Sequence, residues 1–282
     1  MYVKHNISLK DYTTIKIGGN CKNFFSPETI EDLRKLLLDH PDAKLLGGGS
    51  NLLINDQREF SDVICLRNFL NDFLVIQDGQ VTVGAGVRLQ KLISTINENG
   101  LGGIEYLFSV PGLVGGAIYM NAGRGRGANK QISDYLISVD VLENGSVRAY
   151  LKDECEFGYR TSIFQTKQCV ILKAIFSFDN IDPEEGKRLQ KERLETCKQF
   201  QDNKYPNAGT MFCQCDPRIM DWIKRFSSKK SKEGVHFSID STNWLQNRGN
   251  GTFSQAMKCL KKVEWLHKLF GKRCKLECVV WE

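Results

Sequence analysis

Two glycine-rich segments, 46–53 and 110–117, constrain the fold of this chain more than any other feature. The first reads Leu-Gly-Gly-Gly-Ser-Asn-Leu-Leu, and the second reads Val-Pro-Gly-Leu-Val-Gly-Gly-Ala before continuing into Asn121-Ala122-Gly123. Each follows an apolar stretch, and glycine lets the main chain approach a ligand closely with its N–H groups exposed. One such segment is more typical of a tight turn between strands. Two of them favour a fold that holds a long anionic ligand at two places.

Composition and charge limit the class of protein. Of the 282 residues, 41% are hydrophobic and 26% are charged, which is typical of a soluble globular protein. The net charge of +6 suits a small anionic ligand and gives no argument for nucleic acid. The N-terminus lacks the apolar core of a signal peptide, and no apolar run is long enough to span a bilayer. We therefore expect a cytoplasmic protein with no nucleic-acid or membrane partner. Separately, the two glycine-rich segments and Tyr159-Arg160 lead us to expect a monomer.

The ten cysteines are scattered and form no CxxC pair. The close pairs are Cys213 with Cys215 and Cys274 with Cys278, and none of the four histidines is spaced with them as a ligand set. The sequence therefore predicts no metal site. It predicts thiols kept reduced in a reducing compartment.

Local signals predict a mixture of helices and antiparallel strands. Helix starts are predicted at Thr29, with Ser26 as the alternative cap, and at Thr252. Asp78-Gly79 and Asn144-Gly145 lie between β-rich stretches, so each predicts the turn of a β-hairpin.

Composition shifts near residues 180–183, where a charged helix begins. We predict three domains: residues 1–67 and 68–183 as two subdomains, and residues 184–282 as a connector helix with a separate C-terminal domain.

Four motifs follow one another along the chain: Tyr12-Thr13-Thr14-Ile15-Lys16-Ile17-Gly18-Gly19, Leu46–Leu53, Pro111–Gly123 and Phe157-Gly158-Tyr159-Arg160-Thr161-Ser162-Ile163-Phe164. In their order and spacing the chain resembles the UDP-N-acetylenolpyruvoylglucosamine reductase (MurB) family over nearly its whole length. Its short interval from Arg160 to Thr210 is similar to the compact subclass of that family.

The resemblance implies an α+β fold. It implies an FAD-binding domain of the vanillyl-alcohol-oxidase (PCMH) type in two subdomains, and a smaller C-terminal α+β domain for a sugar-nucleotide substrate. It also implies that NADPH, as co-substrate, reduces the FAD, and that the flavin reduces UDP-N-acetylenolpyruvoylglucosamine to UDP-N-acetylmuramate. This step belongs to peptidoglycan precursor synthesis, and so to cell-wall biogenesis, cell shape, the cell cycle and cell division.

Family motifs also imply the residues that contact FAD. A pyrophosphate needs several main-chain N–H donors and close approach, which these glycines would provide. Leu113 stands where the family has a hydroxyl residue, and the arginines Arg124 and Arg126 are candidates to offset that loss by facing phosphate, although solvated loop charges are the more common reading. The implied cofactor contacts are Gly47, Gly48, Gly49, Ser50, Asn51, Leu52, Pro111, Gly112, Gly115, Gly116, Ala117, Asn121, Arg160 and Ile171.

Three residues correspond to the family's catalytic groups: Arg160, Thr210 and Glu277. Arg160 would polarise the substrate, because hydride addition pushes charge onto an enolate-like carboxylate that a guanidinium can stabilise. Thr210 keeps the hydroxyl of the family's serine as proton donor. Ungapped counting places Glu277, at the start of a terminal strand, at the family's glutamate, whereas a rival register would place Val279 there.

Substrate contacts are implied at Tyr159, Gln214, Asn243 and Asn247. Around them the chain departs from the family pattern, with Cys213 in place of a lysine and Ser241 in place of a histidine. A basic stretch, Lys224-Arg225 to Lys232, is a candidate for contact with a diphosphate, and a solvated loop is its more common reading.

These departures leave two alternatives open. The chain could be a divergent flavin oxidoreductase acting on another sugar nucleotide, or a non-catalytic FAD-binding paralogue.

Overall fold

A computed structural model describes residues 1–124, 129–227 and 233–282 of the chain. Within these ranges the α-helices are α1 (Ile30–Asp39), α2 (Leu89–Glu98), α3 (Val114–Tyr119), α4 (Pro183–Phe200), α5 (Pro217–Ser227) and α6 (Phe253–Leu269). The strands are β1 (Tyr2–Ser8), β2 (Asn20–Ser26), β3 (Lys44–Leu46), β4 (Leu52–Ile54), β5 (Glu59–Cys65), β6 (Leu74–Gln77), β7 (Gln80–Gly84), β8 (Leu101–Gly102), β9 (Gly123–Arg124), β10 (Lys130–Gln131), β11 (Leu136–Glu143), β12 (Ser146–Leu151), β13 (Cys169–Ser177), β14 (Asp179–Asn180), β15 (Asn207–Thr210), β16 (Phe212–Gln214), β17 (Val235–Phe237), β18 (Trp244–Asn247), β19 (Lys275–Leu276) and β20 (Val279–Trp281).

The predicted helix caps and hairpin turns form at the predicted positions. The hydroxyl of Thr29 accepts a hydrogen bond from the Asp32 amide and so caps α1, and the hydroxyl of Thr252 caps α6 in the same way. Asp78-Gly79 joins β6 to β7, and Asn144-Gly145 joins β11 to β12; all four residues have positive φ, as a two-residue hairpin turn requires. Both predicted helix starts and both predicted hairpins are confirmed.

The chain divides into two units: Met1–Val3, Phe24–Gly48 and Asp62–Cys197 form the first, and Lys4–Asn23, Gly49–Ser61 and Lys198–Glu282 form the second. A four-stranded sheet has the order β1-β2-β5-β3. The prediction of three domains with boundaries at residues 67 and 183 stays a prediction.

A five-stranded antiparallel sheet organises the first unit. Its order is β12-β11-β13-β7-β6. Buried side chains of α2, including Leu92 and Ile96, and of α3, including Val114 and Ile118, share one apolar core with those of β7, β11 and β13. This packing fixes α3, which lies inside the second glycine-rich segment.

The second unit joins distant parts of the sequence. It contains the sheet β15-β18-β17 and the pair β16-β19. The C-terminal strand β20 pairs in parallel with β4, which directly follows the first glycine-rich segment. Apolar residues of α5 and α6 share a core with Ile15, Ile17 and Leu53. The order of these segments along the sequence therefore does not match their order in space, because residues near both ends of the chain build one core.

No helix in the described ranges is long and apolar enough to cross a membrane.

Candidate active site

The second glycine-rich segment, in the first unit, is held by main-chain hydrogen bonds. The Gly112 amide donates to the Val110 carbonyl at 2.8 Å, and the Gly115 amide donates to the Ala85 carbonyl at 2.9 Å. These two N–H groups therefore have acceptors within the protein, and the cofactor contacts predicted for Gly112 and Gly115 stay predictions. A Cβ at Gly115 would lie 2.8 Å from the Ala85 Cβ, whereas a Cβ at Gly116 would meet no atom within 4 Å. Gly115 thus permits close packing, and Gly116 leaves an open main-chain surface.

Pro111 is exposed at the start of this segment, and Ala117 is buried in α3. Ile171 lies in β13, where it is 8% exposed and pairs with Val141 of β11. The cofactor contacts predicted for these residues stay predictions.

Gly47 and Gly48 belong to the first unit and are held by a residue that the sequence analysis missed. The Arg67 guanidinium donates from Nε to the Gly47 carbonyl at 3.4 Å and from Nη2 to the Gly48 carbonyl at 2.9 Å. Because both carbonyls accept hydrogen bonds from Arg67, this side chain fixes the orientation of the peptide groups at Gly47 and Gly48. The parallel pairing of β3 with β5, with Leu46 opposite Cys65, brings the residues that follow the two strands to one edge of the sheet.

The rest of the first glycine-rich segment belongs to the second unit. Gly49 has a φ of 67°, a left-handed conformation that favours glycine, and its carbonyl accepts a hydrogen bond from the Thr14 amide at 3.1 Å. The Thr14 hydroxyl also donates to the Ser50 carbonyl at 3.4 Å. The Asn51 side chain donates to the Glu277 carbonyl at 3.1 Å, and Leu52 begins β4. Two family motifs, around Thr14 and around Asn51, therefore meet here.

Two main-chain carbonyls of the first unit hold the Arg160 side chain. Its Nη1 donates to the Asn121 carbonyl at 3.2 Å, and its Nη2 donates to the Gly123 carbonyl at 2.6 Å. Its own carbonyl accepts from Gln165, and its guanidinium carbon lies 5.0 Å from the centre of the exposed Tyr159 ring. Arg160 has a φ of 59°, so its main chain is held in a conformation that is costly for a non-glycine residue.

Two buried polar atoms in this part of the first unit lack hydrogen-bond partners among the described residues: the Asn121 Oδ1 and the Tyr106 hydroxyl. The Asn121 Nδ2 is used, since it donates to the Gln131 side chain at 2.6 Å and to the Gly158 carbonyl at 2.9 Å. Burial raises the pKa of Tyr106, and the charge of Arg160 opposes this rise, so the phenol lies in the electrostatic field of the guanidinium. The sequence analysis missed Tyr106, because no motif singles it out.

These observations fit a bound FAD. A buried acceptor without a donor carries a cost that a ligand N–H group would remove. The open surfaces at Gly47 and Gly116, where a Cβ would meet no atom within 4 Å, suit the close approach of a dinucleotide.

Thr210 and Glu277 come together in the second unit. The Glu277 amide donates to the carbonyl of Met211, which directly follows Thr210, at 2.7 Å. Thr210 is exposed, and Glu277 is half-buried. Glu277 lies between β19 and β20, so the prediction that it begins the terminal strand is wrong. Val279, which the rival register places at the catalytic position, lies in β20 and pairs with Leu52 of β4.

Two of the predicted substrate contacts use their side chains within the second unit. The Asn243 side chain accepts from the Phe212 amide at 3.0 Å and donates to the Phe212 carbonyl at 2.8 Å, so it clamps β16. The buried Asn247 side chain donates to the Ile15 and Lys16 carbonyls and accepts from the Gly249 and Gly251 amides.

The other two predicted substrate contacts, Gln214 and Tyr159, are exposed. All four substrate roles stay predictions.

A hydrogen-bond network joins Ser241, Ser238 and Asp202 in the second unit. The Ser241 hydroxyl donates to the Phe200 carbonyl at 3.0 Å and accepts from the Asp202 amide at 2.7 Å. The Ser238 hydroxyl donates to the Asp202 carboxylate at 2.8 Å. Burial opposes ionisation of Asp202, but the hydrogen bonds from Ser238 and Gln246 outweigh it and lower the pKa of this carboxyl.

Some predicted residues lie outside the described ranges, namely Arg126 and the lysines Lys229, Lys230 and Lys232 of the basic stretch. Among the described residues, no group of three or more histidine, cysteine or acidic side chains could hold a metal ion.

Comparison with known proteins identifies similar chains. The model of the FAD binding domain family matches residues 22–149. The UDP-N-acetylenolpyruvoylglucosamine reductase of Pseudothermotoga lettingae is 32% identical over 99% of this chain and 98% of its own length. The enzyme of the same name from Carboxydothermus hydrogenoformans is 33% identical over 99% of this chain and 93% of its own length.

Among solved structures, the Thermus caldophilus UDP-N-acetylenolpyruvylglucosamine reductase matches with a TM-score of 0.81 and 28% identity over 100% of both chains. The predicted α+β fold with an FAD-binding domain of the PCMH type is confirmed, and so is the predicted cofactor. The relatives are more than 30% identical over nearly the full length of both chains, and therefore this chain belongs to the UDP-N-acetylenolpyruvoylglucosamine reductase family.

Proposed function

We propose that this chain reduces UDP-N-acetylenolpyruvoylglucosamine to UDP-N-acetylmuramate at the expense of NADPH, as a cytoplasmic monomer. Membership of the family supports the reaction. Bound FAD supplies the hydride-transfer chemistry that links NADPH to the enolpyruvyl double bond. The chain's own residues bind the reactants, stabilise the charge that develops and supply the proton.

Two sets of described residues support the proposed cofactor contacts, and each set lies within one unit. In the first unit, Gly116 offers an open main-chain surface and the Asn121 Oδ1 offers a buried acceptor, while Arg67 holds the carbonyls of Gly47 and Gly48. In the second unit, Thr14 holds the carbonyls of Gly49 and Ser50. With these carbonyls engaged, the peptide N–H groups of the first glycine-rich segment are available to phosphate.

Arg160 stabilises the anionic transition state. Addition of hydride to one carbon of the enolpyruvyl group moves an electron pair towards its carboxylate, so negative charge grows there. A guanidinium held at two of its nitrogens by the Asn121 and Gly123 carbonyls needs no rearrangement to stabilise that charge. It also stays protonated at every working pH.

The observation that carries the proposal is the 2.7 Å hydrogen bond from the Glu277 amide to the Met211 carbonyl. This main-chain contact joins Glu277 to the residue that follows Thr210, although the two lie far apart in the sequence, and it supports a shared role for their side chains. Thr210, or a water that it holds, gives its proton to the carbon that did not receive hydride. Glu277 orients this donor and restores its proton.

The test replaces Glu277 with Gln and measures the two half-reactions by stopped-flow absorbance of the flavin. We expect reduction by NADPH to stay within about twofold of wild type and reoxidation by the enolpyruvyl substrate to slow by roughly 100-fold or more. The exposed Glu282→Gln change is the matched control and is expected to alter neither step.

Unchanged reoxidation in Glu277→Gln would remove Glu277 from the mechanism and favour the register that places Val279 there. Failure of the wild-type enzyme to be reoxidised by this substrate, while another enolpyruvyl or keto sugar nucleotide reoxidises it, would assign it to a different sugar nucleotide.

A further inference from the structure

Two cysteines flank the strand pair β16-β19 in the second unit: Cys215 directly follows β16, and Cys274 directly precedes β19. The register sets Phe212 opposite Leu276 and, after a one-residue bulge at Cys213, Gln214 opposite Lys275. The next pair in this antiparallel register is Cys215 with Cys274. Directly opposed residues of antiparallel strands have Cα atoms about 4.5–5.5 Å apart, which lies within the range that a disulfide spans.

The side chains of both cysteines lie on the same side of the strand pair. Gln214 and Lys275 are exposed, whereas Cys215 and Cys274, one position further along each strand, are half-buried and pack against the same apolar core. This alternation is what a pleated pair requires. Both residues are partly exposed to solvent.

The chemical surroundings of the two sulfurs differ. The Asn243 side chain donates to the Cys215 Sγ at 3.8 Å, and such a donor favours negative charge on that sulfur. Burial raises the pKa of Cys274 to about 12, with the neighbouring Cys215 sulfur as the next largest cause. Cys215 is therefore the better attacking group, and Cys274 is the group that completes the bond.

We propose that Cys215 and Cys274 form a redox-modification site, in which a low-molecular-weight disulfide oxidises the two thiols to a cross-strand disulfide. The Cys215 thiolate attacks one sulfur of the small disulfide and expels one small thiolate, giving a mixed disulfide. The Cys274 thiolate then attacks the Cys215 sulfur and expels the second. The protein loses two electrons and two protons, and the small disulfide takes them up as two thiols.

The disulfide has a structural consequence that is separate from the reductase reaction proposed above. Formation of the bond ties the end of β16 to the start of β19, closing a long loop of chain that includes α5 and α6. Because a cross-link over a long loop limits the unfolded state, oxidation should stabilise the second unit.

The test uses the FAD-bound full chain in glutathione buffers of graded redox potential at about pH 8, followed by alkylation and mass spectrometry of peptides without reduction. We expect loss of two hydrogen atoms, a linked pair of peptides that contain Cys215 and Cys274, and a melting temperature raised by about 5 °C or more. Formation should accelerate as the pH rises towards the pKa of Cys274.

Single variants assign the partners. Cys274→Ser should stop at a glutathione adduct on Cys215, and Cys215→Ser should form no link. Cys259→Ser, a half-buried cysteine of the same unit, is the matched control and should leave the link intact. Full alkylation of both wild-type thiols after oxidation would overturn the proposal, and so would a link from Cys274 to Cys213. The wild-type peptide map decides the matter even if a variant does not fold.

Discussion

Replacement of Asn247 separates a role in the fold from the predicted role in substrate binding. This side chain is 6% exposed and makes four hydrogen bonds to main-chain atoms of the second unit. It donates to the Ile15 carbonyl at 3.1 Å and to the Lys16 carbonyl at 3.3 Å, and it accepts from the Gly249 and Gly251 amides at 3.1 and 3.0 Å. Since every donor and acceptor direction is engaged, we expect Asn247→Ala to act on stability.

The expected magnitude follows from these contacts. Each hydrogen bond contributes about 0.5–1.5 kcal/mol net, and the Ile15 carbonyl loses its partner in a buried place, where an unsatisfied group costs more. Gly249 is exposed, so water can replace the lost bond there. The free energy of unfolding of the second unit should therefore fall by about 3 kcal/mol, which corresponds to roughly a hundredfold change in the unfolding equilibrium.

Urea unfolding followed by tryptophan fluorescence measures this change. All 4 tryptophans, Trp222, Trp244, Trp265 and Trp281, belong to the second unit, so the signal reports on that unit alone. Asn203→Ala, at an exposed position, is the control and should stay within about 0.5 kcal/mol of wild type. The KM for the sugar nucleotide should stay close to wild type under conditions where the variant is folded.

An unfolding midpoint equal to that of wild type, together with a raised KM, would refute this reasoning. It would show that the Asn247 side chain binds substrate and that its main-chain contacts contribute little.

Three further predictions concern the cofactor surface, the cation and a buried acid. Gly116→Ala should weaken FAD binding roughly tenfold in a fluorescence titration without changing apoprotein stability, whereas Gly115→Ala should lower stability by about 1–3 kcal/mol because its Cβ would collide with Ala85. Arg160→Lys should slow flavin reoxidation by substrate about 100-fold and spare reduction by NADPH, because an ammonium cannot keep both carbonyl contacts. The lowered pKa of Asp202 contributes stability above its unfolded pKa of about 4 that is lost as the pH falls through the folded value, so Asp202→Asn should flatten the acid limb of a stability–pH profile.

Several local features of this protein could be predicted from its sequence, because they depend on interactions between neighbouring residues. The Thr29 and Thr252 caps and the Asn144-Gly145 turn depend on residues within a few positions of one another, so local preference decided them. The glycine-rich segments and the Tyr159-Arg160 motif predicted the family, and the comparisons confirmed it.

Contacts between distant residues were decided by tertiary packing alone. No sequence pattern near Gly112 or Gly115 indicates that their amides donate hydrogen bonds to the Val110 and Ala85 carbonyls. Likewise, no pattern near Asn247 indicates that its side chain donates to the Ile15 and Lys16 carbonyls. A main-chain group or an asparagine amide has the same sequence signature whether it meets a ligand or another part of the chain.

The proposed link between Cys215 and Cys274 also depends on the fold. It depends on the register of β16 against β19, which a one-residue bulge shifts, and a shift of one residue turns every following side chain to the other face. The sequence by itself determined which chemical groups this protein has and to which family it belongs. Only the tertiary structure decided which of those groups face one another, because hydrogen bonds and packing between remote segments leave no local periodicity to read.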